Sequence, residues 1–149
     1  MLNHIIKIIH EPVYKYRLEV LSGLIIPFLN EGDKVLDIGC GGGRLGEMIM
    51  ESSKCPKNLK YTGIEKFQRG GEPIEVIEYD GNKLPMKADS FDVVILADVL
   101  HHEENPLQLL REAQRVSKKR VIIKDHKKDT IFDQLRISFL DLVAINLMV

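Results

Sequence analysis

A chain of 149 residues with 44% hydrophobic content is long enough for one domain around a single core and too short for a comfortable second one. Its net charge of −1 at pH 7 supplies no general attraction to nucleic acid or to an anionic membrane, which argues against both as partners. The two cysteines, Cys40 and Cys55, are neither C-x-x-C spaced nor part of a dense framework, so reduced thiols and a cytoplasmic location are expected.

The N-terminal "LNHIIKIIH" is interrupted by charge and lacks a small-residue cleavage site, so it does not read as a signal peptide. It predicts a short amphipathic piece over Leu2 to Ile9, followed by a helix from about Glu11 to Leu29 with Val13, Leu18, Leu21, Ile25 and Phe28 at helical spacings. Short apolar runs then predict buried parallel strands at Lys34–Ile38, Tyr61–Ile64, Ile74–Tyr79, Phe91–Ala97 and Arg120–Lys124. Helices fit between several of them, at about Arg44–Ser52 and at Pro106–Ser117, where Asn105 caps and Pro106 takes the first helical position. Lys118–Arg120 and Lys127–Lys128 read as solvated ends of elements. A last helix is expected over residues 129–149, and its apolar run from Ile137 is too short to span a bilayer. The alternation gives one α/β domain over 1–149: N-terminal helices at 1–30, a core at 33–125 and the terminal helix. The sheet is open and mainly parallel, with helices on both faces and its ligand over the carboxyl ends of the strands.

At the end of the first strand stands "KVLDIGCGGGRLG". Counted from Gly41, its glycines fit the G-x-G-x-x-G of a dinucleotide site. Counted from Gly39, they read Asp37-x-Gly39-x-Gly41-x-Gly43. Asp37 decides between the counts, because a carboxylate two residues before Gly39 repels a pyrophosphate and welcomes a cation. S-adenosylmethionine has a sulfonium and an ammonium for that acid, and its single carboxylate suits the glycine N–H groups and the start of the next helix.

With that motif, "YTGIE" at the second strand, "YDGNKLP" after the third and "SFDVVILADVLHH" at the fourth, the chain resembles class I, Rossmann-like S-adenosylmethionine-dependent methyltransferases of the small-molecule type. The resemblance covers roughly Asp33 to Asp125. It implies about five strands in the order 3-2-1-4-5, S-adenosyl-L-methionine as cofactor and a small-molecule acceptor. It also implies a cofactor site of Asp37, Gly39, Cys40, Gly41, Gly43, Glu65, Asp80, Gly81, Asp98 and Val99. Glu65 would accept from the ribose hydroxyls. Asp80 would accept from the adenine amino group, although Asp80-Gly81 also reads as an ordinary turn.

His101 and His102 follow the fourth strand, where the resemblance implies that the methyl and the acceptor meet. Either is a candidate general base for an oxygen or nitrogen nucleophile, since imidazole titrates near neutrality. The alternative is a pocket wall. Asp98, His101, His102, Asp125 and His126 share one rim, but neither histidine pair has the i, i+4 spacing of a common zinc site, and no metal is expected. The signatures of methylation on nucleobases are missing, which argues against nucleic acid as the acceptor.

Two departures from the family stand out. Only Lys66–Pro73 separate Glu65 from the third strand, too few for a helical crossover, which predicts an irregular loop. No terminal strand hairpin follows the fifth strand, so the chain reads as truncated, with its edge strand or terminal helix available for a homodimer. Readings held beside the leading one are a catalytically silent cofactor-binding module, an RNA methyltransferase and an NAD-binding oxidoreductase.

Overall fold

The computed structural model describes residues 2–126, with side chains from Glu11 onward. The terminal helix expected at 129–149, Lys127–Lys128 and the association assigned to that helix lie outside the described residues. Helix α1 runs Leu2–Ile25 and continues as a 3₁₀ turn, Ile26–Phe28. Then come β1 (Lys34–Ile38), α2 (Arg44–Glu51), β2 (Lys60–Glu65), β3 (Glu75–Glu78), β4 (Phe91–Ala97), a 3₁₀ turn at Leu100–His102, α3 (Pro106–Val116) and β5 (Ser117–Lys124). All strand pairs are parallel and the order is β3-β2-β1-β4-β5, as expected.

Side chains alternate across a strand, and β1 divides the core accordingly. Val35 packs with Leu18, Ile25, Ile49, Val93 and Ile95 under α1 and α2. Leu36 and Ile38 pack with Ile64, Val94, Leu96, Ala113 and Val116 under α3. By the same parity Asp37 faces the α1 and α2 side, and it is this placement of an acid among apolar neighbours that marks the site.

Two expectations are corrected. The break between a short N-terminal piece and a helix from Glu11 does not occur, because α1 passes through Pro12. A proline inside a helix removes one backbone hydrogen bond and crowds the preceding turn, a local penalty. Lys119 is not merely solvated: its Nζ reaches Asp33 Oδ1 at 2.6 Å and Asp92 Oδ1 at 3.0 Å. Asp33 is 1% exposed. The side-chain bond from Lys119 and the backbone N–H of Asn30 together outweigh the dominant effect of burial and hold its carboxyl below the ordinary range. This cluster braces the amino ends of β1, β4 and β5, at the far end of the sheet from the site.

Between β2 and β3 the chain has bends and no helix, so the irregular loop is found. The strands still pair in parallel, Thr62 with Glu75 through Glu65 with Glu78. Glu72 organises the loop by accepting from the backbone N–H groups of Arg69 (2.6 Å) and Gly70 (3.0 Å). Asn105 caps α3 as its sequence implies, accepting from Gln108 N at 3.2 Å. No helix among the described residues is long and apolar enough to cross a membrane.

Candidate active site

At the carboxyl end of β1 the chain turns sharply. Gly39 N donates to Ile64 O (2.8 Å) and Gly43 N to Cys40 O (3.0 Å), closing a loop that delivers the chain to α2. Gly39 has φ +69°, and a Cβ built on it would stand 2.5 Å from Val99 Cγ2. No side chain fits there: the loop lies directly on the residue that follows β4. Glu65, at the end of β2, ties the loop down from the other side. Its Oε2 accepts from Gly41 N at 2.9 Å and its Oε1 from Lys66 N at 2.8 Å.

Asp37 is 2% exposed. The Tyr61 hydroxyl donates to its Oδ2 at 3.0 Å. Tyr61 reaches it because Gly46 leaves room, since a Cβ at Gly46 would meet the Tyr61 ring at 2.6 Å. Burial pushes the Asp37 carboxyl up to about 7; the Tyr61 bond opposes this and the charge of Glu65 adds to it. Such an acid is ready to exchange its proton for a cationic ligand. Burial, with Asp37 and Glu65 adding, pushes the Cys40 thiol up to about 12. Cys40 therefore serves as a neutral packing residue and not as a thiolate.

A cavity of about 720 Å³ opens between α1 and the carboxyl ends of β1, β4 and β5. Of the residues singled out by sequence, Asp37, Gly39, Cys40, Gly41, Asp98, His101 and His102 line it together. Gly43, Glu65, Asp80, Gly81 and Val99 do not. Val99 is buried beneath Gly39, and Glu65 acts on the loop. Asp80 is exposed in a turn and accepts from Asn82 N at 2.9 Å, the main reason its carboxyl lies below the ordinary range. Lys66 and Glu103 form an ion pair at 2.9 Å that joins the loops after β2 and β4. A Cβ on Gly81 would meet the Lys66 stem at 2.8 Å, so the same pair lies against the loop after β3.

Asp98 adopts φ +58°, a conformation that asparagine and aspartate tolerate better than most residues. Three groups converge on its carboxylate: Arg17 Nη2 at 3.3 Å, the Lys124 ammonium, and His126 Nδ1 at 3.0 Å without hydrogen-bond alignment. Arg17 and Tyr14 of α1, with Lys124 of β5, line the cavity and escaped the sequence reading. Their signal was positional. Tyr14, Arg17, Leu18 and Leu21 recur at helical spacing on one flank of α1.

His101 stands in the turn after β4, with its side chain 6% exposed. Its Nδ1 lies 2.6 Å from Asp125 Oδ1, and its backbone N–H donates to Asp125 Oδ2 at 3.3 Å. Burial alone would push the Asp125 carboxyl up, but the His126 backbone N–H and the His101 ring outweigh it and leave the acid below its ordinary range. Burial pulls the His126 imidazole down, against the lift from Asp98. His101, Asp125 and His126 offer ligand-type atoms within 4.8 Å of one another. The 2.6 Å separation of His101 from Asp125 is nonetheless that of a hydrogen bond. Ligands about 2.0–2.1 Å from a tetrahedral ion stand about 3.3 Å apart.

A parallel sheet ordered 3-2-1-4-5, a glycine loop closing β1, and acids at the ends of β1, β2 and β4 define the Rossmann-like core of class I methyltransferases. The family model described as "Methyltransferase domain" matches residues 36–123, and the chain belongs to that family. It is 35% identical over 109 residues to the bifunctional methionine biosynthesis protein MetXA/MetW of Rhodopirellula baltica, covering 66% of this chain and 18% of that protein. It is 32% identical over 118 residues to the ubiquinone biosynthesis O-methyltransferase of Vibrio parahaemolyticus, covering 69% of this chain and 44% of that protein. The chain thus spans less than half the length of either relative. A solved SAM-dependent methyltransferase from Aquifex aeolicus superposes with TM-score 0.53 at 28% identity, over 68% of this chain and 61% of that one.

Proposed function

We propose that this chain binds S-adenosyl-L-methionine over the glycine loop and transfers its methyl group to an oxygen or nitrogen of a small-molecule acceptor, with His101 as general base. The observation that carries the reading is the shared cavity: an ion-ready buried acid, Asp37, and a histidine held by a carboxylate, His101, line the same space. The residues fit the cofactor. Gly39 and Gly41 line the cavity as bare backbone, Asp37 lines it as an acid suited to positive charge, and the loop N–H groups at the start of α2 suit a carboxylate. Glu65, Asp80 and Gly81 follow β2 and β3, on the side where the ribose and adenine belong in this reading. The relative named as an O-methyltransferase supports oxygen as the acceptor atom. The near-neutral charge favours a small molecule over a nucleic acid.

When bound, the cofactor supplies a methyl group on a sulfonium, an electrophile that needs no metal for activation. The rest falls to the chain. α1 and the ends of β4 and β5 hold the acceptor in line with the methyl, and alignment of this kind supplies much of the acceleration. As the acceptor's lone pair forms its bond to carbon, His101 Nε2 takes the acceptor's proton and the carbon–sulfur electron pair stays on sulfur. His102, in ring contact with His101 at 3.9 Å between centroids, is read as pocket wall. His101→Ala is expected to lower turnover about 10²-fold or more while S-adenosylhomocysteine affinity stays as in the wild type. A screen of phenolic and amine acceptors, read by release of S-adenosylhomocysteine, supplies the assay. Undiminished turnover in the variant would remove His101 from the chemistry.

A further inference from the structure

We infer that Asp125 is a positioning residue, which fixes the orientation of His101 and its tautomer so that hydrogen sits on Nδ1 and the lone pair on Nε2; this rests on the reading of His101 as the base. One carboxylate grips the histidine twice, through the ring Nδ1 at 2.6 Å and through the backbone N–H at 3.3 Å. The second contact fixes the 3₁₀ turn that carries the residue, and the first fixes the ring upon it. Asp125 comes from the end of β5, twenty-four positions along the chain. The turn closes locally through His102 N to Val99 O at 3.0 Å and Glu103 N to Leu100 O at 3.2 Å, and the hold on the His101 ring comes from beyond β5.

The carboxylate is ionised and can only accept, so the proton between the two groups belongs to Nδ1. In the neutral ring Nε2 is then left with a lone pair. Nε2 is buried and has no hydrogen-bond partner among the described residues. A proton placed there would make a buried donor without an acceptor, which disfavours the other tautomer a second time. The ring is also confined on its flanks, with His102 at 3.9 Å and His126 edge-on at 5.2 Å between centroids. The charged groups nearby, Lys124 and Arg17, are engaged with Asp98, and the His126 backbone N–H also donates to Asp125 Oδ1, at 2.6 Å. An ionised acid that holds a histidine by Nδ1 and leaves Nε2 for proton transfer is an arrangement built for a base.

The test needs no knowledge of the acceptor. Two-bond proton–nitrogen correlation spectra of the full chain, labelled with ¹⁵N, report which nitrogen of His101 carries hydrogen, with His101→Ala used for assignment. The wild type is expected to show hydrogen on Nδ1. Asp125→Asn, whose amide can donate to Nδ1, is expected to move the hydrogen to Nε2. It should also cut turnover about 10²-fold or more and leave S-adenosylhomocysteine affinity unchanged, with Asp125→Glu recovering part of the loss. Hydrogen on Nε2 in the wild type overturns the inference, whether or not the variants fold. An unchanged tautomer in a folded Asp125→Asn chain overturns it too. Full activity in His101→Ala would instead defeat the base assignment while the tautomer result stood.

Discussion

Asp37→Asn is expected to weaken S-adenosylhomocysteine binding tenfold or more and, at pH 8, to raise the thermal midpoint of the ligand-free chain. The two effects have one origin. In the unfolded chain this carboxyl titrates at its ordinary 3.8, and in the folded chain at about 7. A group raised by folding contributes stability that is fully present below pH 3.8 and is lost as pH rises through about 7. Ionising the buried acid therefore destabilises the folded chain, on the order of 4 kcal/mol once the loss is complete. Asparagine keeps an oxygen for the Tyr61 hydroxyl and carries no charge, so its advantage appears at pH 8 and is absent at pH 4. The ligand's ammonium, which S-adenosylhomocysteine keeps although it lacks the sulfonium, reverses the balance by giving the carboxylate a partner. Wild-type affinity should accordingly decline as pH falls below about 7, and the decline should be missing in the variant. Thermal melts at the two pH values and titrations across the range decide it. Equal melting shifts at both, or unchanged affinity, would show that Asp37 is not the cation's partner.

Gly39→Val should unfold the chain or abolish cofactor binding, whereas Gly42→Ala should change little. At Gly39 the new Cβ meets both Val99 methyls, at 2.5 and 3.0 Å, in a backbone with φ +69°. Overpacking of that kind costs about 1–3 kcal/mol, and a β-branched residue in the left-handed region adds about 1–2 kcal/mol. Val99 is buried in the same apolar cluster as Leu36, Ile38, Leu96 and Leu109, so it has little room to yield. At Gly42 the nearest atom to an added Cβ is the far end of the flexible Arg69 side chain, at 3.9 Å. Melting temperature and S-adenosylhomocysteine titration of both variants give the comparison. A Gly39→Val chain with native stability and affinity would refute the loop's role.

Much of this architecture is legible in the residues because buried parallel strands declare themselves as apolar runs. β1 and β4 fall at their expected limits for that reason. β5 begins at Ser117, three positions earlier than expected, because Lys118 and Lys119 are exposed and lie in a bulge, where the pairing with β4 passes from Phe91–Ser117 to Val93–Arg120. Apolar pattern cannot report such a segment. Glycine spacing and Asp37 pointed to the loop that closes β1, since backbone conformation and charge are local properties. Contacts between elements were not legible. Arg17 to Asp98, Lys66 to Glu103 and His101 to Asp125 join positions far apart in the chain, and their geometry depends on how β2, β4 and β5 end relative to one another. The sequence brought His101 and Asp125 to one rim but could not tell a hydrogen bond from a metal site or from simple proximity.

The central claim is that the glycines are counted from Gly39, for a cationic methyl donor, and not from Gly41, for a dinucleotide. A calorimetric titration of the full chain with S-adenosylhomocysteine, run beside NAD under the same buffer and concentration, tests it most directly. The account predicts saturable binding of one S-adenosylhomocysteine per chain and no comparable heat from NAD. Tighter binding of NAD, or no binding of S-adenosylhomocysteine by a folded chain, would contradict it.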